Sequence, residues 1–154
     1  MVKVTGSIEV GRSVEETFDY AADWRNEAQW NELAIGVEKA SPGPIGVGTR
    51  FIGTYKQYGT LETTITEYSR PARHVIRTEG KVMTMVLTAT FTPAPGGAVM
   101  HKTIEVRMKG AMKLLTPVMG RLLQRQLDTL NAGFKRAIEQ PAGQLASRDA
   151  AGLA

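Results

Sequence analysis

Apolar positions along this chain change period three times. Val2, Val4, Ile8 and Val10 alternate with Lys3, Thr5, Ser7 and Glu9, the period of a half-buried strand. Ser13-Val14-Glu15-Glu16 then has the form of a capping box with Ser13 at the N-cap. It predicts a short helix through Ala22 that buries Val14, Phe18 and Ala21 or Ala22. Asp23 caps a second short helix ending near Trp30. From residue 34 the period of two returns. Strands are predicted at 34–40, 49–57, 61–68, 74–79, 82–92 and 99–108, with Gly- and Pro-marked turns between them. The clearest is 82–92: Met83, Met85, Leu87, Ala89 and Phe91 share one face, and Thr84, Val86, Thr88, Thr90 and Thr92 the other.

After Gly110 the period lengthens to that of a helix. Residues 111–115 read as an extra helical turn, Thr116 as a cap, and Pro117 as a first-turn proline. Met119, Leu122, Leu123, Leu127, Leu130, Gly133, Phe134, Ala137 and Ile138 then form one stripe, opposite Arg121, Gln124, Arg125, Asp128, Lys135, Arg136 and Glu139. Pro141 stops the run. A helix over 117–139 spans about 34 Å, and a ten-residue strand about 33 Å. The order β-αα-β6-α therefore predicts an α+β fold. A curved seven-stranded antiparallel sheet wraps around one long C-terminal helix. Residues 1–140 form one domain in this reading, and 141–154, rich in Ala, Gly and Ser, read as a mobile C-terminal tail.

Composition narrows the chemistry. The 154 residues contain no Cys, which removes disulfides, Cys–zinc sites and a thiol nucleophile and fits a cytoplasmic location. No apolar span reaches transmembrane length, and the N-terminus lacks a signal-peptide pattern. The net charge of +4 comes from scattered basic residues without a recognition motif, so nucleic acid is not expected as a partner. Peripheral contact with an anionic membrane stays open, as does the choice between monomer and homodimer. The two His, His74 and His101, have no metal-ligand spacing, and no metal is expected. No Gly-x-Ser-x-Gly elbow is present, and the glycines at 43, 46 and 48 make no phosphate loop. Asp23 reads as a helix cap rather than a general acid.

Several stretches carry a resemblance. They are Ser13–Phe18 leading to Asp23 and Trp30; Ile65-Thr66-Glu67-Tyr68-Ser69-Arg70-Pro71-Ala72-Arg73; Phe91-Thr92-Pro93 before Gly96-Gly97; and the terminal Leu130–Glu139 helix. With the element order, they make the chain similar to the polyketide cyclase/dehydrase-like branch of the Bet v 1/START (SRPBCC) helix-grip superfamily. The resemblance implies a deep apolar cavity between sheet and helix for lipids, polyketides or other hydrophobic ligands. It also implies that Trp24 and Trp30 stand near the cavity mouth. It implies no catalytic motif, and fold alone assigns no activity.

Alternation supplies the cavity wall. Phe51 and Tyr55, Leu61 and Ile65, and Met83, Met85 and Leu87 come from the sheet, with Met119, Leu123 and Leu127 from the helix; Trp30 completes the expected ligand-binding set. Seven Met residues suit a pocket of adaptable shape. His101, Thr103, Glu105 and Arg107 share one face of the last strand, read as solvent-facing while Ile104, Val106 and Met108 point inward. The leading expectation is a binder of a hydrophobic small molecule, without a metal or organic cofactor and without an assigned catalytic residue. Alternatives are a cyclase/dehydratase-like enzyme using the same cavity, and a membrane- or protein-interaction module.

Overall fold

The computed structural model describes residues 1–140; the tail expected over 141–154 lies outside the described residues. Strand β1 (Val2–Val10) is followed by helix α1 (Val14–Ala22), a 3-10 turn (Trp24–Asn26) and the single-turn helix α2 (Glu27–Trp30). Six strands follow: β2 (Ala34–Lys39), β3 (Arg50–Tyr55), β4 (Gly59–Ser69), β5 (Arg73–Glu79), β6 (Met83–Ala94) and β7 (Gly97–Met108). A second 3-10 turn (Gly110–Leu115) leads into α3 (Thr116–Ile138).

The strands form one curved antiparallel sheet in the order β1-β7-β6-β5-β4-β3-β2. Consecutive hairpins build it from β2 to β7, and β1 closes on β7, pairing Val2 with Val106 and Ile8 with Met100. α3 lies across the sheet against β1, and α2 packs on α3. This is the helix-grip architecture that the element order predicts.

Local signals behave largely as read. The Ser13 hydroxyl accepts from the Glu16 backbone N–H (3.1 Å), and Asp23 Oδ1 accepts from the Arg25 N–H (3.2 Å). Thr116 differs from expectation. Its hydroxyl donates back to the Lys113 carbonyl (2.7 Å) rather than capping α3, because the preceding 3-10 turn runs directly into the helix. Leu122 also leaves the predicted stripe. It is 59% exposed, on the flank of the face that Met119, Leu123 and Leu127 present to the interior.

One end of the molecule is solid. Phe18, Phe51, Ile65, Ile76, Phe91, Met100 and Phe134 are buried there in a single cluster. Phe18 meets Tyr68, His74 and Phe91 edge-on at 5.1–5.4 Å. His74 is buried against these rings, and burial lowers its pKa to about 4, so the imidazole is neutral. Gly133 lets α3 approach α2: a β-carbon there would stand 2.5 Å from the Trp30 carbonyl oxygen. Phe134 can then reach the Trp30 ring, 5.8 Å away and edge-on.

Candidate functional site

α3 is packed differently along its two halves. Its last turns put Phe134, Ala137 and Ile138 into the solid core. Its first turns, carrying Met119, Leu123 and Leu127, face Met83, Met85 and Leu87 of β6 across a cavity of about 330 Å³. Met108 and Met112 add to a wall that is mostly thioether and branched aliphatic. The cavity persists because a single helix crosses a curled sheet, and all four phenylalanines, Phe18, Phe51, Phe91 and Phe134, are committed to the other core cluster.

Gln57, Tyr58, Thr78 and Gln126 add polar side chains to the lining, and one sector carries charge as well. α2 supplies Glu27 and Asn31, β3 supplies Tyr55, and β7 supplies Lys102; all four line the cavity, and each is at most 6% exposed. The Tyr55 hydroxyl donates to Glu27 Oε2, and Asn31 Nδ2 donates to Glu27 Oε1 at 2.9 Å. Asn31 is itself held, its Oδ1 accepting from the Leu33 N–H at 3.0 Å. Gly53 makes room for Tyr55: a β-carbon at 53 would stand 2.6 Å from the Tyr55 ring and 2.7 Å from its hydroxyl. The Trp24 indole N–H faces the same pair, although it makes no bond of hydrogen-bond geometry. Lys102 Nζ lies 5.0 Å from the ring centres of both Trp30 and Phe134, a double cation–π contact.

Burial dominates the electrostatics. It pushes the Glu27 carboxyl above the usual carboxylate range, against the hydrogen bonds from Tyr55 and Asn31 and the Lys102 charge. Burial, then the adjacent Glu27, drives the Tyr55 hydroxyl far above the ordinary phenol range, which keeps it a donor. Lys102 is lowered to about 8 by burial, with Glu27 pulling the other way. A carboxyl, a phenol and an amine therefore face one apolar space, able to orient a polar group or to hold and move a proton.

Nine of the residues expected to bind a ligand line this cavity: Trp30, Tyr55, Leu61, Met83, Met85, Leu87, Met119, Leu123 and Leu127. Phe51 and Ile65 do not. They share the inward face of β3 and β4 but lie farther along the strands, buried in the solid core. Glu27, Asn31 and Lys102 are site residues that the sequence reading missed. Lys102 had a signal, since it falls in phase with Met100, Ile104, Val106 and Met108 on the inward face of β7. His101 and Arg107 are exposed on the outer face of the same strand, and His101 Nδ1 lies 2.6 Å from the Ser7 hydroxyl. Among the described residues no group of three His, Asp or Glu side chains lies where it could hold a metal ion. No described helix is long and apolar enough to cross a membrane.

Comparison with known proteins extends these observations. No curated protein matches the chain in sequence. Among solved structures, a START superfamily protein from Mycobacterium smegmatis superposes with a TM-score of 0.77 at 17% identity, covering 90% of this chain and 97% of that one. A Thermus thermophilus protein gives 0.71 at 17% identity, covering 88% and 96%. DynU16, from the dynemicin biosynthetic locus, gives 0.67 at 13% identity, covering 91% of this chain and 48% of its own. These likenesses establish a shared fold. A family model described as "Polyketide cyclase / dehydrase and lipid transport" matches residues 1–139. The chain therefore belongs to the polyketide cyclase/dehydrase and lipid transport family.

Proposed function

We propose that this protein binds an apolar small molecule, a lipid or polyketide-like compound, between the first half of α3 and the sheet. The observation that carries the reading is the 330 Å³ cavity, lined mostly by apolar side chains, with the buried Glu27, Asn31, Tyr55 and Lys102 sector on one part of its wall. Ligand sites are commonly apolar concavities of ~300–1,000 Å³ with a few placed polar groups, and this one has that make-up. Trp30, Tyr55, Leu61, Met83, Met85, Leu87, Met119, Leu123 and Leu127 are the proposed contacts. The protein works in the cytoplasm as one domain over residues 1–140. Native mass spectrometry of freshly purified protein tests the reading. The expected spectrum contains a one-to-one adduct released on denaturation, or acquires one on addition of an apolar ligand. A protein that stays bare under saturating panels of lipids and polyketide-like compounds contradicts it.

Glu27, Tyr55 and Lys102 are also the groups that acid–base turnover of a bound polyketide-like chain would employ. Recovery of an added substrate in cyclised or dehydrated form, lost on Glu27→Gln, would establish that enzymatic reading.

A separate observation favours contact with an anionic lipid surface. Leu114, Val118 and Leu122 are 84%, 68% and 59% exposed beside Met112 and Met119 of the cavity wall. Residues 109–127 contain Lys109, Lys113, Arg121 and Arg125 and no acidic residue. Apolar side chains flanked by cations suit an anionic bilayer interface. Sedimentation with phosphatidylglycerol-containing vesicles should exceed that with pure phosphatidylcholine, and Leu114→Asp combined with Leu122→Asp should abolish the excess. Equal sedimentation with both vesicle types argues against this contact.

A further inference from the structure

We propose that the cavity's ligand carries a carboxylate head seated on Lys102, with its apolar body lying among Met83, Met85, Met119 and Leu123. This rests on the pocket reading above and deepens it by naming the ligand's chemical class.

Lys102 is the argument. It is 95% removed from solvent, at 5% exposure, on the inward face of β7. An ammonium carries three donors and no acceptor. Among the described residues none accepts a hydrogen bond from it; its neighbours are the faces of Trp30 and Phe134. Glu27 is the opposite charge on the same cavity, yet the two make no ion pair, and the Glu27 oxygens are already engaged by Tyr55 and Asn31. Burial also pushes the Glu27 carboxyl up, which weakens it as a compensating anion. The other titratable side chains lining the cavity are Tyr55 and Tyr58, neither of which supplies negative charge while protonated.

A buried, unmatched cation is unfavourable in general, and a fold retains one where something else satisfies it. Most of the rest of the wall, Met83, Met85, Met119 and Leu123 included, asks for hydrocarbon; this corner asks for an anion with hydrogen-bond acceptors. A carboxylic acid with a hydrophobic body answers both. The two rings under the ammonium fix its position, so the head meets a preorganised donor.

Isothermal titration with matched probes tests this. Decanoate is compared with decan-1-ol, and 2-naphthoate with 2-naphthol, against wild type, Lys102→Met and Lys102→Arg, each variant first checked for native circular dichroism. The expected result is at least a tenfold preference of wild type for the acid in one pair or both. Lys102→Met should lose that preference while still binding the neutral partner, and Lys102→Arg should keep it. Equal affinity for acid and neutral partner in wild type, or an undiminished preference in Lys102→Met, overturns the head-group assignment and leaves the pocket reading standing. Wild type binding none of the four probes overturns both. Should Lys102→Met fail to fold, the wild-type preference and its retention in Lys102→Arg decide the matter.

Discussion

The Tyr55 hydroxyl donates to the Glu27 carboxylate, joining the end of β3 to α2 across the cavity wall. The bond depends on Gly53, whose missing side chain leaves the space that the Tyr55 ring occupies. Gly53→Ala should push the ring out of line, and Tyr55→Phe should remove the donor outright. Each is expected to cost about 1–3 kcal/mol in urea unfolding, the usual consequence of leaving a buried acceptor unmet. An unchanged midpoint in Tyr55→Phe would show that the bond contributes nothing.

Glu27 should also leave a signature in pH dependence. Its folded pKa is raised, so the native state holds a proton that the unfolded chain has released above its ordinary value of 4.5. The native state then binds more protons than the unfolded one, and the group's contribution to stability falls as pH rises from there towards the folded value. His74 acts in the opposite sense: its pKa of about 4 against 6.5 means stability rises with pH across that window. The difference between wild type and Glu27→Gln isolates the first effect. Glu27→Gln should gain stability relative to wild type as pH rises from 4 towards 7, and a constant difference would contradict the assignment.

Lys102 is expected to be a liability in the empty protein. Its pKa is lowered from 10.5 to about 8, so the unfolded chain binds the proton more tightly between those values. Stability from this group is therefore lowest below pH 8 and rises as pH climbs towards 10.5. A shift of this size corresponds to about 3 kcal/mol, set against the cation–π contacts that removal would forfeit. Ligand-free Lys102→Met should melt higher than wild type at pH 7, and the advantage should shrink by pH 10. A lower melting temperature at pH 7 would mean that Lys102 is a structural residue.

The two halves of α3 should respond differently to truncation. Phe134 lies in the solid core, and Phe134→Ala should cost about 3–5 kcal/mol. Leu127 packs on Val2 and Val4 but borders the cavity, so Leu127→Ala enlarges an existing space and should cost about 2 kcal/mol. Gly133→Ala should destabilise through its clash with the Trp30 carbonyl. Gly120→Ala, whose nearest neighbour is Val2 Cγ1 at 3.9 Å, should be neutral or gain up to about 1 kcal/mol from helix propensity. Denaturant midpoints for the four variants check the ordering; equal losses for Phe134→Ala and Leu127→Ala would contradict an open cavity beside Leu127.

The fold was legible because its elements are long and its periods clean. Strand parity over 83–91 and the helical stripe over 119–138 each specify a face, and faces suffice to stack a helix on a sheet. Parity does not report depth along a strand. Phe51 and Tyr55 share a face, yet one fills the core and the other borders the cavity. Lys102 was within reach of parity, since Ile104, Val106 and Met108 were already read as inward and 102 shares their phase. Glu27 was not, because α2 is a single turn, too short for a periodic signal, and its carboxyl is placed by Tyr55 from another element. Leu122 fell out of the stripe because a helical face is narrower than a run of adjacent leucines implies.

If the space between α3 and β6 takes a ligand, filling it with Met85→Trp should expel that ligand. Titration of a fluorescent fatty acid against wild type and Met85→Trp, with melting curves run in parallel, separates occupied space from packed core. The expected result is one site per chain in wild type, and a folded Met85→Trp protein that has lost most of its affinity because the indole fills the cavity. A Met85→Trp protein that keeps its melting temperature and binds the probe as tightly as wild type would place the ligand elsewhere. Destabilisation by the roughly 1–3 kcal/mol typical of overpacking would mean that residues 83–87 face a filled core.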